Sequence, residues 1–390
     1  MPSVFAPSLL NSLSPQPDQE ILHDPSAERP LSSAHPDWHD WKFQFRHRIK
    51  TLEGLKAWLA LTPEEEKAFQ AGGKNLPFAV TPYYLSLVNP TDPNDAIRKT
   101  IVPRLAEFTT TAEEMVDPCG EDGNMVVPGL VHRYPDRVLL LVNETCSVYC
   151  RYCTRSRLVG SGEHEVDLEA AYAYLEAHVE IHDVLISGGD PLVMSDEKLE
   201  AIIARLKQIP HIDLVRIGSK IPVVMPQRIT DKFVAMLKRY APMYMSIHFL
   251  HPDEITPEVE SACNKLADAG VMTFSQTVLL KGVNDSVETL KQLMRKIVNL
   301  RVRPYYLYQC DPVQGTAHFR TPVQTGIDLM AKLRGHLSGY CIPTFVIDAP
   351  GGGGKIPVGP QYVLPADDQQ PGVTHMQNFN GQRYRYVDPQ

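Results

Sequence analysis

Long apolar runs are missing from this chain of 390 residues, and no stretch approaches the roughly twenty apolar residues of a membrane-spanning helix. An excess of positive charge is missing too. With 38 Lys and Arg against 46 Asp and Glu the net charge is −8, which excludes the basic footprint of a nucleic-acid or membrane-surface binder. The opening stretch MPSVFAPSLLNSLSPQPDQE lacks the basic flank of a signal peptide, so the expected compartment is the cytoplasm. Cysteine is sparse. Seven of them, an odd number in a long chain, read as reduced thiols, metal ligands or buried apolar residues and not as a disulfide framework.

What remains is the composition of a globular protein, 43% hydrophobic and 22% charged, at a length that suits two to three domains or one α/β barrel with extensions. Residues 1–35, rich in Pro, Ser and Asp, read as a mobile arm. Residues 36–130 follow a helical pattern, with Thr62 as an N-cap and Pro63 at the first helical position, and read as a helical N-terminal domain. From 131 to 350 the strand-like runs RVLLLVN, DVLISG, LVRIGS, MYMSIHF, VMTFSQTVLL and RPYYLYQ alternate with helix-like segments. Repeated βα units mean a parallel sheet. The fold class expected is α/β, a partial (β/α)6-type barrel with TFVIDAP as a possible further strand, an N-terminal helical extension and a C-terminal segment over 351–390. Most of these strands end in polar or Gly-rich residues, which are expected to converge on one pocket at their carboxyl ends.

CSVYCRYCTRSR, residues 146–157, sets Cys146, Cys150 and Cys153 at a C-x3-C-x2-C spacing directly after the first barrel strand. Buried thiols, or three ligands of a structural zinc, would account for the spacing. Three thiolates on one loop can also hold three irons of a 4Fe–4S cluster and leave the fourth open to a reactant. Cys119, Cys263, Cys310 and Cys341 are scattered and read as ordinary thiols. A second unusual stretch is DAPGGGGKIPV, residues 348–358. Four consecutive glycines are costly to order, so close backbone approach or freedom of movement is expected there. The phosphate-cradling P-loop requires Ser or Thr after its lysine, and Ile356 stands there instead. Lys355 reads either as a surface lysine or as an amine that forms a Schiff base with an aldehyde cofactor and detaches when substrate arrives.

The cysteine motif, with Tyr152 just before its last cysteine, resembles that of the radical S-adenosylmethionine enzymes. VPGLVHRYPDRVLLLV, LISGGDPL, VRIGSKIPVVMPQRIT, RVRPYYLYQCD and the glycine–lysine stretch extend the resemblance to the lysine 2,3-aminomutase family, over residues from about 36 to 365. The resemblance implies an isomerase that moves the α-amino group of L-lysine to carbon 3 to give β-lysine. Arginine as the substrate, or a lysine within a protein, are the alternatives. It implies a 4Fe–4S cluster on Cys146, Cys150 and Cys153, with S-adenosylmethionine near Gly188, Gly189, Asp190, Ser219, His248 and Gln276. His248 could equally be a barrel-end histidine satisfied by a neighbour. Pyridoxal 5′-phosphate would be held on Lys355, the C-terminal cofactor lysine, with Arg133, Tyr134 and Arg137 around it.

Arg155 would grip the substrate carboxylate. Asp311 and Asp348 would clasp its side-chain cation, although strand-end aspartates also cap loops. Glutamate is rejected as a substrate, because its carboxylate would meet that acidic pair. The implied partners are a free basic amino acid and a one-electron reductant such as flavodoxin or ferredoxin, with no nucleic acid or membrane, and the chain is expected to form a homo-oligomer. The chain departs from the family at QPGVTHMQNFNGQRYRYVDPQ, which has no cysteine; this puts the family's C-terminal zinc and its tetramer in doubt.

Overall fold

The computed structural model describes residues 31–72, 76–162, 165–366 and 371–389. The arm expected over residues 1–35 therefore lies outside the described residues, apart from 31–35. Five short helices open the described chain: α1 (Trp41–Arg46), α2 (Leu52–Lys56), α3 (Pro63–Gln70), α4 (Pro82–Ser86) and α5 (Ala96–Ile101). Thr62 caps α3 as its sequence suggests: its side chain accepts from the Glu65 N–H while the Glu65 carboxylate accepts from the Thr62 N–H, and Pro63 follows.

Two short strands, β1 (Met125–Val127) and β2 (Leu130–Tyr134), lead into the βα repeat. The repeat runs β3 (Arg137–Leu141), α6 (Leu168–Ala177), β4 (Asp183–Ser187), α7 (Asp196–Lys207), β5 (Leu214–Ser219), α8 (Ile221–Val224), α9 (Asp231–Arg239), β6 (Tyr244–His248), α10 (Pro257–Asp268), β7 (Met272–Leu279), α11 (Val287–Asn299), β8 (Arg303–Gln309), α12 (Val323–Leu333) and β9 (Thr344–Ala349). β10 (Gly354–Pro357) follows, and a separate hairpin of β11 (Val373–Gln377) and β12 (Arg383–Val387) ends the described chain.

Strands β1 to β10 form one sheet in chain order. β3 through β9 pair in parallel, so TFVIDAP is a seventh parallel strand beyond the six expected. β2 lies antiparallel to β3 at one edge and β10 antiparallel to β9 at the other. The sheet order does not bring the edges together, which makes this a partial barrel. Helices cover its outside. In α7 the apolar residues Leu199, Ile202, Ile203 and Leu206 recur at helical spacing and are all buried. Each such side chain contributes about 1.5–3 kcal/mol on burial, so this face holds the helix on the sheet. One hydrophobic core runs without a break from Trp38, Leu55 and Trp58 of the N-terminal region to Val138, Ile186 and Ile217 of the strands.

Candidate active site

A cavity of about 540 Å³ lies inside the partial barrel, and every site residue nominated from the sequence lines it. It is deeper than expected. Besides the strand ends at Ser187, Ser219 and His248, its wall includes Arg137, Asp183 and Arg216 near the strand starts. The reason is the inward row of small or short residues, such as Gly218 and Ser246, where a closed barrel would carry bulky filling side chains.

The cysteine loop is positioned by the N-terminal helices. Arg48 donates to the Cys146 carbonyl, the Tyr149 N–H donates to the Ala79 carbonyl at 3.1 Å, and the Arg151 N–H donates to the Thr100 carbonyl at 2.9 Å. The Arg151 guanidinium is buried against Glu107. All three motif thiols are free. Burial raises the pKa of each, and their mutual repulsion as thiolates raises Cys146 and Cys153 further; Cys153 reaches about 11. Among the described residues no three His, Cys, Asp or Glu converge on the position of a single metal ion. The thiols instead stand within electrostatic range of one another. This suits an iron–sulfur cluster, in which each thiolate meets its own iron and the cluster's charge relieves the repulsion.

The end of β4 lies directly on this loop. The Gly189 N–H donates to the Asn143 carbonyl at 2.7 Å, and the Asp190 N–H donates to the Thr145 carbonyl at 2.9 Å. A Cβ on Gly189 would come within 2.5 Å of the Thr145 oxygen. The two glycines are thus required by the cysteine loop itself. The buried Asp190 carboxylate accepts from Ser219 Oγ at 2.8 Å and from the N–H groups of Leu192, Lys220 and Ile221. Burial nevertheless pushes its pKa up to about 6. Asp190 and Ser219, both nominated as cofactor contacts, therefore spend much of their bonding capacity in tying β4 to β5. His248 Nε2 lies 3.2 Å from the Tyr152 hydroxyl, and burial holds the ring well below its usual pKa, in its neutral form. Gln276 stands beside His248 on the neighbouring strand.

At the other wall, β9 turns back into β10 through the glycines. Gly351, Gly352 and Gly354 have φ of 77°, 90° and 84°, the left-handed region that favours glycine. Of the two alternatives drawn from the sequence, the structure has close backbone approach: the glycines build a tight turn, and Lys355 sits on β10 in register with Asp348. Its N–H donates to the Tyr134 hydroxyl at 2.9 Å, and its Nζ lies 2.9 Å from Asp348 Oδ2. Arg133 Nη2 binds the other oxygen of Asp348 at 3.0 Å. Arg137 pairs with Asp136, and its guanidinium stacks 3.9 Å from the Tyr134 ring centroid.

The two aspartates are unequal. Asp348 is paired, whereas among the described residues Asp311 makes no ion pair, and its pKa is pushed up to about 7, by burial first and then by Asp348. Arg155 is also engaged: its Nε donates to both Glu121 oxygens, at 2.9 and 3.0 Å, and its Nη1 donates to Ser187 Oγ at 3.2 Å. Glu121 went unnoticed in the sequence, where it is one of three acidic residues in the loop segment DPCGED and carries no periodic or motif signal. Tyr306 and Tyr308, which also line the cavity, could have been found by the two-residue period of RPYYLYQ, which sends both to one face of β8.

Three cysteines at the end of the first parallel strand of an open βα barrel, beside a Gly-rich second strand end, define the class of radical S-adenosylmethionine enzymes. Residues 140–296 match the model of the radical SAM superfamily, and residues 330–390 match that of lysine-2,3-aminomutase. The chain is 52% identical over 356 residues to L-lysine 2,3-aminomutase of Clostridium subterminale, an alignment that covers 90% of this chain and 85% of that one. It is 48% identical to L-lysine 2,3-aminomutase of Bacillus subtilis, covering 90% and 75% of the two chains. It is 41% identical to glutamate 2,3-aminomutase of Clostridioides difficile, covering 86% and 80%. The chain belongs to the lysine 2,3-aminomutase family. It is an isomerase of the aminomutase type whose radical SAM domain uses a 4Fe–4S cluster and S-adenosylmethionine.

Proposed function

We propose that this aminomutase acts on free L-lysine, moving its α-amino group to carbon 3 to give β-lysine, with pyridoxal 5′-phosphate attached through Lys355. The observation that carries this reading is one cavity lined at once by the three motif cysteines, by Lys355 and by the acidic pair Asp311 and Asp348. The cluster with S-adenosylmethionine supplies one-electron chemistry able to take hydrogen from an unactivated C–H bond, and pyridoxal phosphate supplies a carbonyl to hold the migrating nitrogen.

The chain's own residues bind and orient. Cys146, Cys150 and Cys153 hold the cluster, and Gly188, Gly189, Ser219, His248 and Gln276 border the S-adenosylmethionine side, with Asp190 as their frame. Arg133, Tyr134 and Arg137 give pyridoxal phosphate a cationic and aromatic surround. Arg155 receives the substrate carboxylate, for which a planar guanidinium is better shaped than an ammonium. Asp311 and Asp348 receive the side-chain ammonium. A glutamate side chain there would meet like charge, which at 4 Å costs on the order of 4 kcal/mol at an effective dielectric near 20. A lysine inside a protein would leave Arg155 without a free carboxylate to bind.

The same reading assigns the enzyme to the cytoplasm, to a homo-oligomer and to a flavodoxin or ferredoxin as reductant. It divides the chain into a region over 36–130 that holds the cysteine loop, a barrel over 131–350 and a lysine-bearing segment over 351–390. Two variants test the cofactor assignment. Lys355→Ala is expected to keep the iron–sulfur absorbance and lose the imine absorbance of bound pyridoxal phosphate, and Cys150→Ala to lose the cluster. Persistence of the imine band in the Lys355 variant would overturn the assignment.

A further inference from the structure

Residues 117–122, DPCGED, form a strap that touches both loops of the site. On one side the Pro118 carbonyl accepts from the Gly351 N–H at 2.9 Å, and the Cys119 carbonyl accepts from Arg133 Nη1 at 2.6 Å. A Cβ on Gly120 would lie 2.9 Å from the Gly352 Cα, so the strap rests backbone to backbone on the glycine turn that precedes Lys355. On the other side it grips the chain just after the cysteine motif. Arg157 is held by Asp122 at 2.8 Å, by Asp117 at 3.3 Å and by Glu121 at 3.5 Å. Glu121 also holds Arg155 through Nε, and it lies 2.8 Å from Nη2.

We infer that Glu121 is a positioning residue for substrate: it fixes the Arg155 guanidinium by its Nε side and turns the two terminal nitrogens toward the incoming carboxylate. This deepens the reading of Arg155 given above and rests on it. A guanidinium offers five N–H donors in a rigid plane. With Nε and one Nη2 donor facing Glu121 and one Nη1 donor given to Ser187, one donor remains on each terminal nitrogen, where a carboxylate can approach end-on. The contribution is one of orientation and not of added charge, since the Glu121 carboxylate offsets the charge of Arg155. Arginine is a long side chain with many rotamers, and fixing it before the substrate arrives removes an ordering cost from binding.

The test is equilibrium binding to the reconstituted holoenzyme of two probes, L-lysine and 1,5-diaminopentane, which differ by the carboxylate. Glu121→Gln keeps the shape but puts an N–H group against the guanidinium. It is expected to weaken lysine about tenfold, the scale of one charge-assisted hydrogen bond, while diaminopentane stays within about twofold. Glu121→Asp, which keeps the carboxylate, is expected to retain the preference for lysine. Arg155→Lys, measured alongside, separates two failures. If it loses the preference while Glu121→Gln shifts both probes equally or neither, the positioning role is overturned and the carboxylate reading stands. If Arg155→Lys leaves the preference intact, the carboxylate reading fails and the role of Glu121 fails with it. Cluster absorbance of each variant identifies any that does not assemble, and in that event the Glu121→Asp and Arg155→Lys pair decides.

Discussion

Asp311 sits in the cavity with no ion-pair partner among the described residues, and burial with the nearby Asp348 pushes its pKa up to about 7. The folded pKa lies above the ordinary value of 3.8, so between those two pH values the folded protein holds a proton that the unfolded chain has released. The sign follows: this group lowers stability as pH rises from about 4 to about 7. A substrate cation favours the ionised form, so lysine affinity is expected to rise as pH climbs through 7. Asp311→Asn should flatten that rise and weaken lysine at pH 8 by an order of magnitude or more, since charge-assisted bonds contribute about 1.5–3 kcal/mol. Calorimetric titrations at pH 6 and pH 8 check this. An unchanged pH profile in the variant would remove Asp311 from substrate recognition. The sequence already nominated this aspartate, but not its inequality with Asp348, which depends on Arg133 and Lys355 arriving from β2 and β10.

Among the elements, the parallel strands were legible because their outward face is buried under the helices, which puts apolar residues at alternate positions, such as Val184 and Ile186 of β4 and Val215 and Ile217 of β5. The short strands β1, β2 and β10 that flank the parallel strands were not legible, being mostly half-exposed, with pairings that long-range contacts decide. The placing of Lys355 on a strand was missed for the same reason: a run of glycines signals permissive backbone and does not say whether that backbone is slack or folded into a turn. At the end of β4 the glycines can be tested directly. Gly188 has φ 135°, and a Cβ there would meet the Asn143 carbonyl oxygen at 2.3 Å. Gly188→Ala is therefore expected to lower stability by about 2–3 kcal/mol or more and to reduce iron incorporation, read by thermal melting and iron analysis. Gly339→Ala, where nothing lies within 4 Å, serves as the control and should change neither.

In the whole molecule, the region before residue 130 is the holder of the cysteine loop. It shares one core with the barrel and presents Arg48, Thr100 and Glu107 to that loop. Sequence periodicity showed helices there but not this purpose, because it is carried by carbonyls and buried ion pairs that leave no pattern along the chain. The C-terminal hairpin β11–β12 forms a two-stranded sheet of its own, bridged from Met376 to Val363.

The proposed function joins radical chemistry to substrate binding by an acidic pair, and the choice of amino acid is its central consequence. The most direct measurement is an anaerobic assay of the iron-reconstituted protein with pyridoxal phosphate, S-adenosylmethionine and dithionite. Lysine, arginine and glutamate are offered separately, and α and β isomers are resolved by chromatography and mass spectrometry. Formation of β-lysine with glutamate inert is the predicted result, and turnover of arginine alone would keep the acidic pair but move the substrate. Conversion of glutamate, or of none of the three while S-adenosylmethionine is still cleaved, would contradict the role given to Asp311 and Asp348.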